Sequence, residues 1–104
     1  MIPESDKKFL KQKIMPALGI KRVYIDYKET DYKWPDCWVE LNRKIPIITV
    51  TNEWTRQDTD NRRSRLIHEA FHIKGLQHGI INGKNYSTYP KKDEFSKSVY
   101  RKIK

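Results

Sequence analysis

All three histidines of the chain fall in one stretch, His68-Glu69-Ala70-Phe71-His72-Ile73-Lys74-Gly75-Leu76-Gln77-His78. Neutral imidazoles bind zinc through nitrogen, and a catalytic zinc keeps one position open for water. On a helix turning ~100° per residue, His68 and His72 stand about 40° apart and one turn along, so both rings can face one ion. Glu69 lies one step round. From there its carboxylate can take a proton from a water on the ion without itself being a ligand. The expected chemistry is hydrolysis of a carbonyl compound with one Zn2+ on His68 and His72 and Glu69 as general base.

The competing explanation is an ordinary solvated helix face. Placing three histidines at random in a chain of this length gives spacings of four and then six about once in 2,000, and a Glu after the first lowers this to roughly one in 30,000. The spacing therefore reads as a metal site. A third ligand is needed, and two residues compete for it. His78 follows Gly75, where a left-handed turn could end the helix and swing the chain back. Glu94 would project from the following helix, within a Lys91-Lys92-Asp93-Glu94 run that otherwise reads as solvated surface. The residue order favours His78, the one remaining histidine.

These side chains need a helix to hold them, and its ends are written locally. Asp58, Thr59 or Asp60 offers an N-cap, and Gly75 a stop after about Lys74. Leu66, Ile67, Ala70, Phe71 and Ile73 form an apolar arc, which predicts a helix burying that side and presenting His68, Glu69 and His72 on the other. Lys74 is a misfit that can snorkel. Ahead of it, Ser5 or Asp6 caps a first helix carrying Phe9, Leu10, Ile14 and Met15, closed by Pro16 and Gly19. Three stretches then read as strands: 22–28, 37–41 and 45–51. Pro46 cannot donate to a ladder, so the last is expected at a sheet edge. A final helix runs from about Lys91, with Phe95, Val99 and Ile103 on one stripe. Trp34, Trp38 and Trp54 read as core, and Cys37 as a small buried hydrophobe or, less simply, a thiolate blocking the zinc.

The chain has 104 residues, 37% hydrophobic and 34% charged, which suits one domain over 1–104 with a thin core. A formal charge of +9 favours acidic partners in general. The basic residues are scattered in short pairs with no recognisable nucleic-acid signature, so dedicated nucleic-acid binding is not expected. One cysteine excludes an intrachain disulfide, and no apolar run approaches the ~20 residues of a membrane span. These features, with no signal-peptide pattern at the start, predict a cytoplasmic protein.

In length, element order, the zinc motif and the segment Tyr86-Ser87-Thr88-Tyr89-Pro90 before Asp93-Glu94-Phe95-Ser96, the chain resembles the minigluzincins, very short zinc metallopeptidases. The resemblance covers the whole chain and implies an α+β, minimal zincin-like fold of three helices and a small three-stranded twisted sheet. It implies a histidine as third ligand, which maps onto His78. It also implies that an edge strand, here Ile47, Ile48, Thr49 and Val50, holds a peptide or protein substrate as an added antiparallel strand. Latency is a further family trait, with the C-terminal segment, here 91–104, covering the cleft within one chain or across a homodimer. Tyr86 or Tyr89 could stabilise the oxyanion, and Asp93 could orient a ligand imidazole. The alternative is a non-catalytic, zinc-stabilised binding module whose basic surface holds nucleic acid or a protein.

Overall fold

The computed structural model describes residues 1–75, 80–81, 84–85 and 94–104. The chain opens with a helix in three consecutive pieces: α1 (Glu4–Phe9), a π-helical stretch Leu10–Ile14, and α2 (Met15–Leu18). The π-helical stretch runs into Pro16, which has no N–H for the normal helical bond and marks a natural place for the ladder to widen. Gly19 ends the helix at φ +68°, in the left-handed conformation glycine adopts without strain. No side chain caps the start: Pro3 is the N-cap. Asp6, one of the residues expected to cap it, is instead fully buried, its carboxylate accepting from Arg62 Nε at 2.7 Å and Arg63 Nε at 3.0 Å. A buried carboxylate persists only when it is paired in this way, and the two bonds clamp α1 to the motif helix.

The strands are β1 (Tyr24–Lys28), β2 (Cys37–Glu40) and β3 (Ile47–Thr51), arranged β1-β3-β2 with β1 parallel and β2 antiparallel to β3. The edge position expected for Ile47, Ile48, Thr49 and Val50 is therefore wrong: β3 is central and hydrogen-bonded on both sides. Pro46 misled because it lies just outside the ladder, where it contributes a carbonyl to Tyr24 N at 2.9 Å and its missing donor costs nothing. The β-branched run explains the central place, since Ile48 and Val50 on one face and Thr49 and Thr51 on the other are all buried.

Thr51 ends β3 and caps a single helical turn, α3 (Asn52–Thr55), that carries Trp54 into the core with its indole N–H donating to Arg62 O at 3.0 Å. This turn raises the count among the described residues to four helices, the N-terminal pieces taken as one, against the three expected. The motif helix α4 (Thr59–Ile73) packs on the sheet, the N-terminal helix and α5 (Glu94–Ile103). Two short strands, β4 (Ile80–Ile81) and β5 (Lys84–Asn85), pair with each other. Leu10, Ile14, Ile48, Val50, Trp54, Leu66 and Ile67 form the centre of the core. Trp34 and Trp38, both expected there, do not join it: Trp34 is 56% exposed and Trp38 is half-buried outside the cluster. Among the described residues no helix is long and apolar enough to cross a membrane.

Candidate metal centre

Helix α4 is set locally as its sequence predicts. Asp58 is the N-cap, its Oδ1 accepting from Asn61 N at 2.8 Å, and Gly75 follows the end at φ +94°. Lys74, the misfit, sends its Nζ toward Gly19 at the C-terminus of α2, where a cation suits the carbonyl ends of that helix.

The polar arc does not face open solvent. His68 is 2% and Glu69 5% exposed, because β2 lies across that side of α4. Burying two ionisable groups on a helix that already has an apolar face is costly unless they are paired or ligate something. The His68 and His72 rings meet edge to face at 75°, with their Nε2 atoms 3.2 Å apart. Two nitrogens on one tetrahedral zinc at ~2.05 Å stand about 3.3–3.4 Å apart, so the separation is compatible with a shared ion, as it is with a hydrogen bond between the two rings. Glu69 Oε2 is 4.0 Å from His68 Nε2, and ligand atoms of His68, Glu69 and His72 all lie within 4.8 Å of one another, the one such group found among the described residues. The donor set and spacing fit a zinc ion.

Of the two residues competing as third ligand, Glu94 is at the exposed start of α5 and is not in this group, although Phe95 beside it stacks on Phe71 at 4.9 Å. His78, Tyr86, Tyr89 and Asp93 lie outside the described residues. Ile47 to Val50 belong to the central strand, so the strand edge beside the histidines is that of β2.

The structure adds a group around Glu69. Cys37, the first residue of β2, is buried with its Sγ 3.9 Å from Glu69 Oε2. It is a neighbour of Glu69 and not a member of the His68–Glu69–His72 group. Burial, with the carboxylates of Glu69 and Asp36 beside it, pushes the Cys37 thiol well above its ordinary value; Arg65 opposes this. Cys37 is thus a neutral thiol near pH 7. Arg65 Nη2 bonds Asp36 Oδ1 at 2.9 Å, and its guanidinium lies 4.7 Å over the Trp34 ring. Burial works against the Arg65 charge, but the Cys37 sulfur once it is deprotonated at high pH, Asp36 and Glu69 outweigh it and raise its pKa. Asp36 in turn fixes the start of β2: its carbonyl accepts from Thr51 N and Oγ1 at 3.0 and 2.8 Å. Arg65 precedes His68 by three residues and Glu69 by four, so helical spacing alone could have placed it on this face. Nothing in the sequence brings Asp36 there.

No family model, curated protein or solved structure matches the chain.

Proposed function

We propose that this protein is a minimal zinc-dependent peptidase of the minigluzincin type, with His68 and His72 as two ligands and His78 as the third. The observation that carries this reading is the convergence of His68 Nε2 and His72 Nε2 to 3.2 Å on the buried side of α4, with a carboxylate alongside. When bound there, zinc would supply a Lewis acid that polarises a carbonyl and acidifies a water.

The chain's own residues account for the rest. Glu69 is held on the same helix as both imidazoles, close enough to accept a proton and pass it to the leaving amine. Arg65, three and four residues before the histidine and the base, is a fixed positive charge facing Glu69 and Asp36. Cys37, uncharged, gives Glu69 a weak S–H donor without competing for its proton. Among the described residues β2 has one partner, β3, so its outer edge along Cys37–Glu40 is the one on which an extended peptide would add as an antiparallel strand beside the histidines. That segment replaces Ile47 to Val50 in this role.

Helix α5 is anchored to the rest of the domain, which supports a structural role for it over that of a removable cover. Tyr100 is 6% exposed, its ring edge-on to Phe9 at 5.5 Å and its hydroxyl donating to Asp60 at 3.0 Å.

The test is metal dependence of peptide cleavage. Activity on an unstructured protein such as casein should disappear with a chelator, return with stoichiometric zinc, and be absent from His72→Ala at any zinc concentration that leaves the fold intact. Cleavage by metal-free protein would sink the proposal.

A further inference from the structure

Residues 7–25 contain six cations, Lys7, Lys8, Lys11, Lys13, Lys21 and Arg22, and no carboxylate. In the sequence they look scattered, but the fold gathers three of them. Lys11 on the π-helical stretch and Lys21 and Arg22 on the following loop converge on a groove of about 610 Å³ beside the start of β1. Met15 and Val23 form its floor and Tyr24, 58% exposed, its wall. Every ion pair with Asp or Glu among the described residues uses other cations, so these three have no carboxylate of a described residue within 4 Å. Unpaired cations of one sign around an apolar floor and an exposed ring complement a polyanion that also has flat, stackable faces.

We propose that this groove binds single-stranded nucleic acid, with phosphates on Lys11, Lys21 and Arg22 and a base stacked on Tyr24. Strand β1 is the sheet edge opposite β2, so the groove is two strand spacings, about 10 Å or more, from the histidine side, and the inference is independent of the peptidase reading. An acidic peptide added along β1 fits less well. Tyr24 N points toward β3, so by alternation Tyr27 N points outward, and there it is already taken by its neighbour Asp26 Oδ1 at 2.9 Å. Asp26 and Glu29 would also stand in the path of such a peptide. A short run of nucleotides needs only the cationic end.

The experiment is fluorescence anisotropy of a labelled twelve-nucleotide oligothymidylate against the full chain. Three phosphate contacts predict an affinity falling with salt at a log–log slope of about −2. Lys11→Glu/Lys21→Glu/Arg22→Glu should lose at least about tenfold, and Tyr24→Ala about five- to tenfold. The matched reversal on α5, Lys97→Glu/Arg101→Glu/Lys104→Glu, should lose less than about threefold. All the groove side chains changed are exposed, and circular dichroism checks that each variant folds. Equal losses from both reversals would mean binding by net charge alone and overturn the assignment. So would a labelled twelve-residue polyglutamate that binds the groove as tightly as the oligonucleotide, or a Tyr24→Ala variant with unchanged affinity.

Discussion

Cys37 Sγ and Glu69 Oε2 lie 3.9 Å apart, both buried between β2 and α4. The contact joins the strand whose edge lies beside the site to the residue assigned as general base, so the position of β2 and the orientation of the carboxylate are set together. A thiol that stays protonated serves there as a weak donor of modest size; a thiolate would repel the base.

That protonation state has a measurable consequence. The folded-state pKa of Cys37 is raised above its ordinary 9.0, so its contribution to stability is complete below that value and is lost as pH rises through the folded pKa. Urea unfolding from pH 7 to 10.5 should therefore show wild type losing stability on the alkaline side relative to Cys37→Ala, in which this contribution is absent. Parallel curves for the two proteins would show that the thiol is not held neutral.

The clamp between α1 and α4 should be worth several times a surface ion pair. Asp6→Ala leaves Arg62 and Arg63 facing a buried site without their anion, and a loss of about 2–4 kcal/mol is expected. In a domain of this size that corresponds to a fall in Tm of roughly 10 °C or more, readable by thermal denaturation.

The third ligand is decided by zinc affinity. His78→Ala should weaken binding by at least about 100-fold, whereas Glu94→Ala, at an exposed helix start and not a member of the His68–Glu69–His72 group, should change it less than about threefold. Competition with a chromophoric chelator measures both. The reverse order would assign the ligand to Glu94.

Helix α5 should prove structural. Tyr100→Ala removes a nearly buried ring from its edge contact with Phe9, for an expected cost of about 2–4 kcal/mol, and deletion of residues 94–104 should leave no cooperative thermal transition. A truncated chain that melts like wild type and cleaves faster would restore the view of α5 as a cover.

What the sequence made legible follows from the range of the forces involved. His68, Glu69 and His72 share a helix, and four-residue spacing alone brings the two imidazoles together; the Asp58 cap and the Gly75 stop are equally local. The positions of the strands were close, but their order was not, since Pro46 signals a missing donor without saying whether the ladder has already ended. The burial of His68 and Glu69 was hidden for a related reason: a wheel divides one helix into polar and apolar arcs, and only the placement of β2 shows that both arcs are covered. Asp6 looked like a cap because its partners stand more than fifty residues away. Trp34 looked like core because its size, not its place under Arg65, was all that could be read.

The central claim, that a zinc ion on His68 and His72 works with Glu69 to cleave peptides, is tested most directly by Glu69→Ala, with zinc content and casein hydrolysis measured on the same sample. The account predicts one zinc per chain, a retained fold, and turnover reduced at least about 1,000-fold. A zinc-replete variant that cleaves at the wild-type rate would contradict it.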